Sequence, residues 1–137
     1  MEILTHQRIS HSLCGIPRSV VGGRSRVDMA TLPEMTVDDA GLVHGGYIFG
    51  LADHAAMIAV NHPNVVLGGA DCRFLKPVRV GETVTAEAVS ESQEGKQRRV
   101  TVTVSRDGEP VFAGTFTCFV LDRHVLEMQV DRPKAEG

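Results

Sequence analysis

A single carboxylate, Asp53, interrupts an apolar stretch that has the length of a helix. Residues 44–61 (HGGYIFGLADHAAMIAVN) are apolar on nearly every helical face, and the residues on the same face as Asp53 include Phe49 and Met57. Burial among such side chains raises the pKa of a carboxyl group toward neutrality, where a carboxylate is an effective general base. The alternative is a structural ion pair with Arg73 or another cation, because such pairs also perturb pKa values.

Two glycines stand where this helix should begin. The first amides of a helix have no partner within it and lie at the positive end of the helix dipole. Gly45 and Gly46 leave these amides open to close approach, which suits a carbonyl oxygen that gains negative charge during a reaction. Close packing of the helix start against a sheet would require the same glycines and is the structural alternative. His44 could orient a ligand or cap the helix with its ring, and it could equally be structural.

The spacing of these groups sets a condition on any site that they share. Asp53 lies eight residues after Gly45, which is about 12 Å along a helix axis. Reacting groups must approach to roughly 3 Å, so one helix cannot offer both groups to the same carbonyl. Two antiparallel helices related by twofold symmetry would bring Gly45 of one chain near Asp53 of the other. The enzymatic interpretation therefore predicts an obligate dimer.

Strands are predicted on both sides of this helix, because the flanking sequence mixes or alternates polar and apolar residues over strand-like lengths. They fall at 20–32, 65–75, 83–88, 100–105 and 111–121. Short, turn-rich connections join the last three, which should therefore form an antiparallel meander. The glycine pairs at 22–23 and 68–69 should mark strand bends or bulges.

The remaining segments complete the predicted architecture. Residues 1–18 should contain one or two helical turns, 33–43 a loop and 125–137 a frayed tail. The order of elements predicts an α+β fold in which a curved antiparallel sheet of about five strands wraps one long buried helix. We expect residues 1–137 to form one domain.

The composition excludes several classes of protein. The chain has 137 residues, the size of one domain, with 42% hydrophobic and 23% charged residues. Its net charge of −3 offers no excess of positive charge for a nucleic acid. No apolar run approaches the roughly 18 residues of a membrane span, and no secretory signal is visible, so we expect a cytoplasmic protein. The three cysteines and six histidines have no metal-ligand spacing, so we expect neither a metal nor a disulfide framework.

Two segments resemble a known family of enzymes. GLVHGGYIFGLAD at 41–53 and FLKPVRVGE at 74–82 are similar to the hot-dog-fold acyl-CoA thioesterases of the phenylacetate-degradation type, and the resemblance spans roughly residues 20–122. It implies the hot-dog fold, hydrolysis of an acyl-CoA thioester to a free acid and CoA, and active sites shared between two subunits. It also implies that the Gly45 amide stabilises the oxyanion. No cofactor is expected beyond the CoA that the substrate carries.

The resemblance also suggests roles for the neighbouring polar residues. Asp53 would act as general base on water or as nucleophile, while His44 and Asp38 would help to position the reactants. Many family members carry Asn where this chain has Asp38. A carboxylate accepts hydrogen bonds and does not donate them, so Asp38 could hold a water but could not activate a carbonyl.

The substrate would have an apolar and a charged end. The acyl group would lie along the apolar helix face near Phe49 and Met57 at the dimer interface, with Gly46 beside it. Basic side chains on exposed turns and strand ends could meet the phosphates of CoA, namely Lys76, Arg79, Arg98 and Arg99. Exposed sheet faces would allow dimers to pair into tetramers.

Two other functions fit the same fold. A non-catalytic acyl-CoA binding or sensor module needs the pocket and does not need Asp53. A hot-dog hydratase or dehydratase uses an acid and a histidine a few residues apart, which Asp53 and His54 offer, although the HGG context fits the thioesterases better. Neighbours in sequence point about 100° apart on a helix, so we expect His54 to be a structural or interface residue.

Overall fold

The computed structural model describes residues 1–128, and one long helix lies at its centre. The elements are α1 (His11–Cys14), β1 (Ile16–Val21), β2 (Arg24–Ala30), α2 (Gly45–Val60), β3 (Val65–Phe74), β4 (Thr83–Glu94), β5 (Gln97–Arg106) and β6 (Glu109–Val120). Two 3-10 turns lie outside them, at Pro33–Met35 and at Val125–Glu127. The part of the predicted tail from 129 to 137 lies outside the described residues.

All six strands form one antiparallel sheet in the order β1-β2-β4-β5-β6-β3. The meander of β4, β5 and β6 is confirmed, and β6 lies inside the sheet between β5 and β3. Alternate side chains of β4 and β5 point into the core against α2, with Val84, Val100 and Val104 all fully buried. The structure thus confirms the predicted α+β fold, a curved sheet that wraps one long helix.

The N-terminal part of the sheet corrects the prediction in two ways. The segment predicted as one strand at 20–32 is a hairpin, because Gly22 and Gly23 have φ values of +56° and +81° and form its two-residue turn. The pair therefore marks a turn and not a bend. Strand β1 adds a sixth strand and extends back to Ile16, so the helical part of residues 1–18 is the single short helix α1.

The second glycine pair behaves as predicted. The register of β3 on β6 shifts between Leu67 and Gly69, so a bulge lies at Gly68. A Cβ atom at Gly68 would overlap the ring of Phe119. Glycine therefore lets the bulged strand approach its neighbour closely.

Helix α2 is buried on most of its surface. It ends at Asn61, whose left-handed φ of +54° allows its N–H to donate to the Met57 carbonyl at 2.9 Å. Among residues 1–128, no helix is long and apolar enough to cross a membrane.

Candidate functional site

Asp53 lies in the middle of α2 with a carboxylate oxygen that has no partner. Its Oδ1 atom is buried and makes no hydrogen bond within residues 1–128. The alternative of an ion pair with Arg73 is wrong, since neither residue takes part in a salt bridge in the described part of the chain. Burial raises the pKa of Asp53 to about 6. A buried carboxylate with that pKa is ionised at neutral pH and can accept a proton.

Two thiols lie within reach of the charge on Asp53. Burial, and then the charge on Asp53, raise the pKa of Cys14 above its usual value and that of Cys118 to about 12. Both cysteines therefore stay protonated at neutral pH, and neither supplies a nucleophile.

The start of α2 presents two open amides. Among residues 1–128, no carbonyl or side chain accepts a hydrogen bond from the amide of Gly45 or Gly46. A ring packs closely against each glycine. A Cβ at Gly45 would lie 3.1 Å from Phe74 Cε2, and one at Gly46 would lie 2.9 Å from His44 Nε2. The helix start is therefore closely packed by side chains, while its N–H groups remain available to a ligand.

His44 is the residue that precedes the first turn of α2. Its backbone is extended, and its ring makes no capping hydrogen bond, so the capping alternative is wrong. The ring is exposed, covers Gly46 and meets Tyr47 edge to face with the ring centres 6.0 Å apart. The backbone N–H of His44 donates to the Met35 carbonyl at 2.9 Å, which ties the helix start to the preceding loop.

Asp38 shapes that loop. Its Oδ1 accepts hydrogen bonds from the amides of Ala40 at 3.0 Å and Leu42 at 3.2 Å. One carboxylate oxygen is thus occupied by the backbone, and the side chain is exposed. Asp38 fixes the approach of the chain to His44, and its second oxygen is left to accept a hydrogen bond from a water.

The groups of the predicted site are not brought together within one chain. Gly45 and Asp53 lie on one continuous helix, and eight residues of helix separate them by about 12 Å. One chain therefore holds the two groups in different places, and a site that used both on one carbonyl would need a second copy.

Of the two apolar residues expected beside the acyl group, only one is accessible. Phe49 is half-buried, with its ring centre 5.4 Å from that of Phe116 and 6.4 Å from that of Phe112. Met57 is only 1% exposed and belongs to the core of this chain, so it cannot contact a ligand here. Its place on the helical stripe of Asp53 suggested otherwise, because periodicity does not show which side of a buried helix the sheet covers.

The four basic candidates divide between two ends of the molecule. Lys76 and Arg79 follow β3, near the start of α2, and Lys76 pairs with Glu109 at 2.7 Å. Arg98 lies near the end of α2, in a groove with Val60, and Arg99 is its neighbour on β5. One chain therefore cannot use all four on the same phosphates. Among residues 1–128, no group of three or more His, Cys, Asp or Glu side chains could hold a metal ion.

His54 is held inside the chain. It is 2% exposed, and its Nδ1–H donates to the Cys14 carbonyl at 2.9 Å. Its ring stacks on that of His11 with centres 6.4 Å apart. This hydrogen bond attaches the N-terminal segment to α2, which is the structural role expected of His54.

Sequence reasoning missed Phe74 and Leu75 as residues of this region. They are 56% and 48% exposed, and they line a cavity of about 320 Å³ beside Gly45. The sequence does show two large apolar residues immediately before Lys76 and Pro77. However, the apolar pattern of a strand does not distinguish a residue of a cavity wall from a residue of the core.

Comparison with known proteins places the chain in a family. The model of the thioesterase superfamily matches residues 40–113, which include the whole of α2 and most of the strands that follow it. The chain belongs to the thioesterase superfamily. Its hot-dog fold and its resemblance to thioesterases of the phenylacetate-degradation type are thereby confirmed.

Two curated relatives of the chain are not named as thioesterases. It is 46% identical over 123 residues to methylthioribose-1-phosphate isomerase of Aquifex aeolicus, covering 89% of this chain and 27% of that protein. It is 33% identical over 87 residues to transcription factor FapR of Shouchella clausii, covering 64% of this chain and 46% of that protein. The chain thus spans about a quarter and about half of the length of these two relatives.

Two solved structures share the fold along most of the chain. An uncharacterized protein from Pyrococcus horikoshii is 49% identical, with a TM-score of 0.91 over 92% of this chain and 97% of that one. A mutant of the phenylacetic acid degradation protein PaaI from Thermus thermophilus is 26% identical, with a TM-score of 0.74 over 81% and 96% of the two chains.

Proposed function

We propose that this superfamily member hydrolyses an acyl-CoA thioester to a free acid and CoA. The observation that carries the proposal is the carboxyl group of Asp53, whose Oδ1 atom is buried without a hydrogen-bond partner and whose pKa burial raises to about 6. An unsatisfied charge of this kind costs stability, and such costs concentrate where a group takes part in chemistry. The open amides at the start of α2 supply the second requirement, a site for negative charge.

The proposed reaction uses one residue from each of two subunits. The thioester carbonyl oxygen accepts a hydrogen bond from the Gly45 amide, and Asp53 of the partner subunit accepts a proton from a water. The resulting hydroxide attacks the carbonyl carbon, and the oxyanion of the tetrahedral intermediate is stabilised by the amide and the helix dipole. When the C–S bond breaks, the proton passes from Asp53 of the partner subunit to the sulfur of CoA. No cofactor beyond the substrate's own CoA is needed.

A homodimer is part of this proposal. The 12 Å or so of helix between Gly45 and Asp53 requires a second copy. Strand β3 is an edge of the sheet, and an unpaired edge strand is a natural place for a second chain to add. We propose pairing at β3, which would run the two α2 helices side by side. Pairing of dimers into tetramers through the outer face of the sheet is a further expectation.

The function is tested by release of free thiol from a panel of short, medium, aromatic and hydroxylated acyl-CoAs. We expect the wild type to hydrolyse at least one of them. Asp53→Ala should lower kcat by about 10²–10⁴-fold, because it removes the base, while light scattering still shows the dimer. Hydrolysis by the wild type should increase with pH through about 6, as Asp53 ionises. Equal turnover by Asp53→Ala would remove this residue from its role.

A second candidate is a non-catalytic acyl-CoA sensor. It is favoured by the 33% identity to transcription factor FapR. A sensor would bind an acyl-CoA tightly, release no thiol, and bind as well with Asp53→Ala as without it. A hydratase would instead add water to an enoyl-CoA and leave the thioester intact, which the absence of free thiol and the change in enoyl absorbance would reveal.

A further inference from the structure

An apolar cavity of about 320 Å³ opens beside the start of α2. Its walls come from the loop before the helix, the helix itself, the end of β3 with the segment that follows it, and the start of β6. The apolar side chains among them include Leu42, Ile48, Phe74, Leu75, Val78 and Val111. A cavity of this size lies at the small end of the range for pockets that bind small ligands.

The cavity adjoins the proposed oxyanion site directly. Gly45 is one of its lining residues, and the ring of Phe74 packs against the same glycine. A carbonyl group bound at the Gly45 amide would therefore have one substituent directed toward this cavity. Met57, the other apolar candidate of the sequence, is buried in the core and offers no such volume.

Among the residues that line the cavity, Phe74 has the largest side chain and therefore the largest effect on its size. Its ring contacts Phe112 edge to face, with the ring centres 5.1 Å apart, and 56% of the residue is exposed. The neighbouring Leu75 is 48% exposed and Leu42 is 40% exposed. Apolar surface exposed at one place favours an apolar ligand, because a ligand that covers this surface removes it from water.

The charge of the cavity favours an uncharged ligand. Lys76 is the one charged residue among the described residues that line it, and Glu109 neutralises it at a distance of 2.7 Å. The lining thus offers no unpaired cation for a terminal carboxylate. An acyl group with no polar group at its far end can bind in this cavity without the free-energy cost of removing a polar group from water.

We propose that this cavity is the acyl pocket and that Phe74 sets the length of the acyl chain. The proposal rests on the proposed function, because the Gly45 amide fixes where the acyl group begins. It replaces the helix face near Phe49 and Met57 that the sequence suggested. A methylene group is about the size of a water molecule, which occupies about 30 Å³. The cavity therefore holds at most about ten carbon atoms. The acyl group is therefore a medium-length aliphatic chain or a single aromatic ring.

The test is the chain-length profile of kcat/KM for straight acyl-CoAs from four to sixteen carbons. In Phe74→Ala, the space of the phenyl ring becomes available, and the optimum should move to chains about two to four carbons longer. The ratio of kcat/KM for the new optimal chain to that for the wild-type optimal chain should increase at least about tenfold, because one methylene group in a fitted pocket changes kcat/KM by about that factor. Phe74→Trp should move the optimum to shorter chains. Leu126→Ala, an exposed apolar residue outside the cavity, should leave the profile unchanged.

The outcomes separate this proposal from the proposed function. If the wild type hydrolyses thioesters and its profile keeps its shape in both Phe74 variants, the acyl pocket is elsewhere and the inference is overturned. If the wild type hydrolyses neither this series nor the aromatic and hydroxylated acyl-CoAs, the proposed function fails. The pocket is then measured by calorimetric binding of acyl-CoA thioether analogues, which cannot be hydrolysed. Affinity that depends on chain length and shifts in Phe74→Ala supports the pocket without the enzyme. Affinity that is the same in both proteins contradicts it.

Discussion

The two halves of α2, taken as residues 45–53 and 54–60, differ in how completely their polar groups are satisfied. In the first half, the amides of Gly45 and Gly46 and the Oδ1 atom of Asp53 have no partner among residues 1–128. In the second half, His54 donates to the Cys14 carbonyl. Asn61 closes the helix, and its side chain holds the N-terminal segment through two hydrogen bonds of 2.8 Å.

The difference shows where the stability of this helix comes from and where its chemistry is expected. Residues 54–59 are all buried, so the second half anchors α2 in the core. The first half also packs into the core, through Ile48, Leu51 and Ala52, but its polar groups have no partner within residues 1–128. Satisfied groups hold a fold together, while unsatisfied groups beside an accessible cavity are available for binding and catalysis.

After the loss of activity expected for Asp53→Ala, the largest effect is expected from the amide of Gly45. Gly45→Pro removes the N–H at the first position of the helix, where proline is tolerated, and His44 already has the extended backbone that a following proline requires. Loss of one oxyanion donor should lower kcat by about 10²–10³-fold. The measurement is thiol release by Gly45→Pro at a saturating concentration of the best substrate.

Gly45→Ala is the matched control for that variant. It keeps the N–H and adds a Cβ that the exposed ring of Phe74 can accommodate with a small shift. Its kcat should stay much closer to that of the wild type. If proline and alanine at this position reduce kcat equally, packing and not the amide is the function of Gly45.

A smaller effect is expected on stability from neutralising Asp53. Because burial raises the pKa of Asp53 to about 6 from 3.8, the wild type loses stability as the pH rises from about 4 to 6 and the carboxylate ionises. Asp53→Asn has no carboxyl group to ionise at this position and does not lose this stability. Its free energy of unfolding should therefore exceed that of the wild type by about 2–3 kcal/mol at pH 8 and nearly equal it at pH 4. Denaturant unfolding at both pH values measures it. A variant that is less stable than the wild type at pH 8 would show that Asp53 has a structural partner.

The smallest effect is expected in the second half of the helix. His54→Leu leaves the Cys14 carbonyl without its donor, which should cost about 1–3 kcal/mol in the free energy of unfolding at pH 8, while kcat is retained. Burial lowers the pKa of His54 below 6.5, so wild-type stability is present above that pH and is lost as the pH falls. The variant should therefore lose less stability than the wild type between pH 6.5 and 5, and an equal loss would contradict this.

The sequence predicted the fold better than it predicted the site. Alternation in β4, β5 and β6 and the apolar length of α2 depend on local periodicity, so they could be predicted. The hairpin at Gly22 and Gly23 was missed because two adjacent glycines are typical of a strand bend as well as of a two-residue turn. Only the structure shows the positive φ values of the turn. The start of α2 at Gly45 and the buried oxygen of Asp53 could be predicted because glycines at a helix start and a charge in an apolar helix are local signals. The catalytic roles of both residues stay predictions.

The missing parts of the site depend on packing. Met57 shares the helical stripe of Asp53, yet the sheet covers it, and Phe74 reaches Gly45 only because β3 ends beside the start of α2. Such contacts between residues far apart in sequence are not visible in any one segment. The same holds for Arg98 and Lys76, which lie at opposite ends of the helix although both are basic residues on or near strand ends.

Activity of mixed dimers tests the central claim that each site takes Gly45 from one chain and Asp53 from the other. Asp53→Ala and Gly45→Pro are each expected to be nearly inactive, and the two are unfolded together in equal amounts and refolded. Random pairing makes half of the dimers mixed, each with one intact site of two, so about a quarter of wild-type activity should return. If the mixture stays as inactive as its components while light scattering shows dimers, the two residues do not act across the interface, and the account of the site is wrong.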